Sequence, residues 1–259
     1  MKSYDNDLNL FKTPFLFSMK KIILISSLLF CQLLLSQSYV DATGADRFSS
    51  TRALEDFNSL KGSVESEELM LEDVLGSMYF DEEFQAATVI LNDKKVEEKT
   101  FLRYNAFKDE IEIGSSVDQK KASNILIKRS NVGAIIGKET YILIAIPGSK
   151  NPEGIYVVEL FSQNNHKLYL HRSKKFVEEK PAPSGLGGSL PARFEDQTTL
   201  YHTSLTSPLP EIVRVSKNGI LKLFPEDQVR LKKFISQNKI KFKENQDVLF
   251  VFENFKLEE

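Results

Sequence analysis

The stretch FLRYNAFKDEIEIG, residues Phe101–Gly114, decides how this chain folds. Set as two antiparallel strands with Tyr104 opposite Ile111, it places Leu102 across from Ile113 and Arg103 across from Glu112. Side chains alternate along a strand, so Leu102, Tyr104, Ile111 and Ile113 share one apolar face. On the other face Arg103 and Glu112 form a cross-strand charge pair, worth about 0.2–1 kcal/mol. Asn105 lies opposite Glu110, and Ala106–Asp109 close the hairpin with a four-residue loop, a common length. A rival reading takes Arg103, Tyr104 and Asn105 as a ligand-binding face. Pattern, pairing and turn agree on the hairpin, which gives every unusual residue a structural job.

The neighbouring segments extend the pattern. ATVIL (Ala87–Leu91), NILIK (Asn124–Lys128), TYILIAI (Thr140–Ile146), GIYVVELF (Gly154–Phe161) and KLYLH (Lys167–His171) are short β-branched or aromatic runs. Asn92-Asp93, Pro147-Gly148 and Asn164-Asn165 punctuate them as turns. Regular short runs with turns between predict an antiparallel meander, curled sheet or sandwich. No helical pattern of 10–15 residues interrupts them, which argues against a parallel α/β sheet. Glu178–Arg193, rich in proline and glycine, reads as a long surface loop inside one domain, because the strand-like TLYHT and EIVRV follow it.

The period then changes. Pro225 marks a helix start with Glu226 and Asp227 in the first turn, Leu231, Phe234 and Ile235 recur at helical spacing, and Asn238 is a stop. A second helix from about Glu244 carries Val248, Leu249, Val251, Phe252 and Phe255 on one stripe, suited to covering an apolar sheet face. The expected fold is mainly β (α+β), an antiparallel sheet with two or three C-terminal helices packed on it.

The amino-terminal region carries an address. Met19-Lys20-Lys21 opens a basic segment, and Ile22–Leu35 is a nearly unbroken apolar run. That run suits a signal peptide and falls short of the roughly 20 residues of a spanning helix. Cleavage is expected after Ser36 or Ser38, and residues 1–18 read as an extension ahead of a native start at Met19. The expected division is a leader over 19–38, a polar and acidic lead-in over 39–75, and one β-rich domain over 76–257, helical from about 216. A turn or short helix is expected around Leu69, Leu71, Val74 and Leu75. Cys31, the one cysteine, is preceded by Phe30 where a lipoprotein signal has a small residue, so lipidation is not expected. The mature chain then has no disulfide and no cysteine ligand or nucleophile. Losing residues 1–38 removes four lysines and two aspartates, taking the formal charge from −2 to about −4.

GSMYFDEEF (Gly76–Phe84), LRYNAFKDEIEI (Leu102–Ile113) and the C-terminal LKKFISQNKIKFKENQDVLFVFENF resemble a group of uncharacterised exported proteins of Bacteroidota. Those chains similarly run a Gly-x-x-Tyr opening, a Leu-Arg-Tyr-Asn hairpin, a proline-rich loop and a Lys-rich helical tail. The resemblance covers most of the mature chain and implies an envelope location. It brings no activity and no catalytic residues.

Familiar chemistries are missing. The three histidines, His166, His171 and His202, show no zinc spacing, and the first two flank one strand five residues apart, poor geometry for one metal. Ser184–Ser189 is glycine-rich but has neither a nucleophile elbow nor a phosphate-loop lysine. No cofactor and no metal are expected. The near-neutral charge gives no electrostatic case for nucleic acid. The basic segment Arg230, Lys232, Lys233, Lys239, Lys241 and Lys243 contains no acid. It reads as a solvated helix face, as a patch for anionic lipid headgroups or polysaccharide, or as the partner of the acidic 65–83 segment. The expected function is binding or scaffolding in the periplasm or outside the cell, without catalysis. Expected partners are an envelope protein or an anionic envelope polymer, with membrane contact through the leader before cleavage. Candidate binding residues are Arg103, Tyr104, Asn105, Arg230, Lys232, Lys233, Lys239 and Lys241. The alternative is a hydrolase of envelope polysaccharide or peptidoglycan with a carboxylate pair hidden among 36 acids.

Overall fold

The computed structural model describes residues 55, 57–64, 74–96, 98–149, 151–180 and 189–256. The expected leader, the extension expected before it and most of the expected lead-in lie outside these residues. Of the short helix or turn expected over 69–75, Val74 and Leu75 are described, and Leu75 is extended, bridging Arg193.

Among the described residues twelve strands run in chain order: β1 Lys61–Gly62, β2 Gln85–Leu91, β3 Lys94–Lys95, β4 Thr100–Asn105, β5 Glu110–Gly114 and β6 Asn124–Leu126. They continue with β7 Val132–Ile136, β8 Glu139–Ile144, β9 Ile155–Gln163, β10 His166–Val177, β11 Arg193–Thr203 and β12 Glu211–Val213. All join one open sheet in the order β1-β6-β5-β4-β2-β7-β8-β9-β10-β11-β12, with β3 pairing β2 off this path. Every strand pairing is antiparallel. The β4–β5 register is the one read from sequence: Leu102 with Ile113, Arg103 with Glu112, Tyr104 with Ile111, Asn105 with Glu110. Asn92 and Asp93, and Asn164 and Asn165, take positive φ in two-residue hairpin turns, a conformation asparagine and aspartate tolerate. The proline- and glycine-rich loop joins β10 to β11, pinched by paired hydrogen bonds between Lys180 and Leu190.

Pairing register assigns each residue a face. The inner face carries Val89, Leu102, Tyr104, Ile111, Ile113, Ala134, Tyr141, Tyr156 and Val158, all buried. The sheet curls so that the β4–β5 tip reaches strands far along the order. Pairing of β9 with β10 ends at Val158 and Leu170, and β10 then runs on with β11 alone. The hairpin tip serves the backbone groups at this parting. Asp109 accepts the Tyr156 amide (3.1 Å), the Ala106 carbonyl accepts the Lys174 amide (2.9 Å), and the Tyr104 hydroxyl donates to the Arg172 carbonyl (3.0 Å). Buried backbone groups need partners, so the tip completes the sheet where its own ladder stops.

Three helices close the remaining inner face. α1 (Lys217–Leu223) starts at Ser216, whose side chain accepts the Gly219 amide. α2 (Gln228–Gln237) begins at an Asp227 N-cap, slightly beyond Pro225, and ends at Asn238. α3 (Asn245–Asn254) opens with a capping box between Glu244 and Asp247. Ile220, Leu221, Leu231, Ile235, Val248, Val251 and Phe252 pack on Leu168, Leu200 and Val213. Leu160 and Leu170 touch this cluster and the sheet core alike, making one continuous interior.

Candidate binding surfaces

Arg103 and Asn105 point to the outer face of the hairpin, Tyr104 to the inner one. The strap of residues 77–84 lies over the outer face and buries Arg103 to 6% exposure. The guanidinium is sandwiched between the rings of Tyr79 and Phe84, 3.9 and 4.3 Å from their centroids. It donates to Glu112 through Nε and Nη2 (3.1 and 2.6 Å), to the Glu82 carbonyl (2.6 Å) and to the Lys120 carbonyl (3.2 Å). Asn105 donates to Glu112 (2.8 Å), and its side-chain oxygen accepts the amides of Phe107 and Lys108. Tyr79 donates to Glu112, and burial, with the carboxylate next, pushes its hydroxyl pKa upward. The charge pair expected to contribute little is thus a buried ion pair between aromatic plates, with Nε and Nη2 converging on Glu112 Oε2 while Oε1 accepts from Tyr79 and Asn105. Its donors are committed inside the protein. Gly114 makes room for this, since a Cβ there would lie 2.9 Å from the Phe84 ring.

Two clefts flank the strap. One of about 200 Å³ lies between Phe80, Gln85, Tyr104 and Tyr141, the other of about 460 Å³ between Tyr79, Glu82 and Gln119, and Arg103 borders both. Tyr104 is occupied within the core, donating to Asp109 (2.8 Å) and the Arg172 carbonyl. Burial, with Asp109 second, pushes its hydroxyl upward. Asp109 in turn meets Lys128 at 2.7 Å. Glu112 and Asp109 therefore each close on their own cation, from opposite faces of the hairpin.

The C-terminal cations divide in two. Arg230 pairs with Asp227 and donates to the Lys256 carbonyl. Lys232, Lys233, Lys239, Lys241 and Lys243 are exposed, and among the described residues none forms an ion pair. Residues 65–73 of the acidic segment lie outside the described residues.

Two features carried no clear signal in the sequence. His166 on β10 and His202 on β11 come together, Nδ1 to Nε2, at 2.9 Å, and Nδ1 of His202 lies 3.3 Å from Glu211. A carboxylate accepts, so His202 donates Nδ1–H to Glu211 and Nε2 accepts from His166. Burial lowers both imidazole pKa values. Among the described residues no group of three or more His, Cys, Asp and Glu is placed to hold a metal ion.

The second feature is a groove on the outer face. Ile155, Val157, Tyr169 and Tyr201 form a cluster there, with Ile142, Ile144 and Ile146 against it. Tyr169 pairs with Tyr201 and Tyr201 with Ile212, so the apolar row runs out to the edge strand β12. Beside it a groove of about 590 Å³ is bordered by Tyr169, Leu205, Pro208 and Leu209. Leu205, Leu209 and Ile212 are 75, 63 and 65% exposed. Exposed apolar residues are ordinary singly, but a contiguous set marks a place for contact.

Comparison with protein-family models, curated proteins and solved structures finds no match for this chain. Among the described residues no helix is long and apolar enough to cross a membrane.

Proposed function

We propose that this chain is an exported cell-envelope protein that acts by binding or scaffolding, without catalysis, and that its partner is another envelope protein. One observation carries the reading: the outer-face groove reaches Pro210, next to β12, and β12 ends the sheet among the described residues. An exposed strand edge offers main-chain hydrogen bonds, and adjoining apolar recesses select side chains. The occupant that fits is an extended, apolar segment of a partner chain laid along β12 with side chains over Ile212 and Leu209. Export rests on the leader pattern of residues 19–38 and on the resemblance to exported Bacteroidota proteins.

The test is a photo-crosslinking residue at Leu209 in living cells, with a control at exposed Lys95. One dominant protein adduct specific to position 209 supports the reading. No adduct, or the same adducts from both positions, overturns it.

A further inference from the structure

The helical layer carries a second surface of different chemistry, independent of the groove. From Gln228 to Lys243 the chain has no acid. α2 turns Leu231 and Ile235 into the core, leaving Val229, Lys232, Lys233 and Ser236 exposed. Their spacing, i, i+3, i+4 and i+7, stacks them on one helix face. Val229, 82% exposed, lies one turn before Lys232 and Lys233 on that face. Past the helix, Ile240 and Phe242 pack inward, while Lys239, Lys241 and Lys243 alternate outward. On α3, Phe250 is 38% exposed and lies 6.3 Å from the Phe234 ring, which sets an aromatic side chain beside α2.

The backbone adds an independent hint. Lys239 has φ +52 immediately after the helix end, where the amide of Ile240 returns to the Ile235 carbonyl. That position favours glycine or asparagine, and a lysine there costs stability. Phe242 is also held at positive φ, 51°. Strain of this kind clusters at working surfaces.

We propose that this face docks on an anionic lipid bilayer, with Lys232, Lys233, Lys239, Lys241 and Lys243 on the headgroups and Val229 and Phe250 in the interfacial layer. Unpaired cations answer a negative surface. Exposed apolar side chains among them gain nothing from a soluble polyanion and are buried at a bilayer. This contact belongs to the folded domain, in addition to the leader.

The test measures partition of the full chain onto vesicles of phosphatidylcholine alone and of phosphatidylcholine mixed with anionic phosphatidylglycerol. The apolar leader contributes to both, so the difference between them reads the lysines. Each basic residue at such a surface tightens binding about fivefold, so Lys232→Gln with Lys233→Gln should weaken anionic binding on the order of 25-fold and leave neutral binding unchanged. Val229→Ser should weaken it several-fold at unchanged salt dependence. These residues are exposed, so the variants fold. Equal binding to both vesicles, or a lysine variant that binds as the parent does, overturns the proposal. Loss of lysine dependence on vesicles but not on soluble polyphosphate also overturns it, and assigns the face to a soluble polyanion.

Discussion

Asp109→Ala tests whether the hairpin tip holds the curled sheet together. Asp109 sits at φ +56 in the β4–β5 loop. One carboxylate oxygen accepts from Tyr104 (2.8 Å) and from the Tyr156 amide (3.1 Å), and the other meets Lys128 (2.7 Å). The Asp109 and Lys128 side chains are 13 and 12% exposed, so solvent screens the pair little. Removing one member of a buried pair strands the other charge, at about 3–5 kcal/mol. The Tyr156 amide loses its acceptor, about 1–3 kcal/mol more, and alanine at positive φ adds about 1 kcal/mol. The losses share one site and overlap, so the expected total is about 4–6 kcal/mol. Domains are stable by about 5–15 kcal/mol, so the variant stands near unfolding. Asp109→Asn keeps an acceptor and tolerates the backbone, and should lose about half as much. The assay is urea unfolding followed by tyrosine fluorescence and circular dichroism. A double-mutant cycle with Lys128→Met should return a coupling of at least about 1.5 kcal/mol. An Asp109→Ala loss below about 1 kcal/mol at an unchanged denaturant slope would refute the reasoning.

Three further outcomes follow from the geometry. Arg103→Ala strands Glu112 under the strap and should lower stability by about 3–5 kcal/mol, well above an exposed cross-strand pair; Arg103→Lys restores charge but neither the fork nor the stacking, and recovers less than half in the same urea experiment. Burial holds His166, His171 and His202 below the ordinary histidine pKa. The unfolded chain therefore binds more protons just below pH 6.5, so stability is full above about pH 6.5 and falls as pH drops, by up to about 1.4 kcal/mol per pH unit for each histidine; a melting temperature equal at pH 7.5 and pH 5.5, with no change in that comparison in His202→Gln, would contradict the burial described. Lys239→Gly should raise stability by about 0.4–1 kcal/mol, measured by thermal unfolding, because glycine suits the backbone at that helix end.

The parts legible in the sequence are those where one face is apolar and a turn residue marks the end. Phe101–Gly114 met both conditions, and its register follows from alternation. Strand β7, Val132–Ile136, did not: it is buried, and Gly133 breaks its pattern. That glycine is present because a Cβ would stand 2.8 Å from the Tyr141 carbonyl, a packing demand with no local signature. KLYLH marked less than half of β10, whose later part, Arg172–Val177, mixes basic and polar residues because its neighbours are the hairpin tip and β11. The pairing of His166 with His202, 36 residues apart, follows from the β10–β11 register, which no spacing rule reports.

The same division explains why the candidate surfaces lie where they do. Arg103, Tyr104 and Asn105 were conspicuous because they combine polarity with strand alternation, and that combination is what a buried ion-pair cluster needs. Its groups are saturated by Glu112, Tyr79, Asp109 and backbone carbonyls, so they hold the hairpin under the strap and leave little capacity for a ligand. Capacity for contact remains where side chains have no internal partner: the leucines and Ile212 beside β12, and the five lysines after Arg230. The outer groove is apolar and abuts a strand edge, which suits a protein segment. The helical face is cationic with isolated apolar side chains, which suits a charged interface. The hairpin cluster is spent on the fold, and the exposed groove residues and lysines form two surfaces of unlike chemistry, which is why the two proposed contacts call for separate tests.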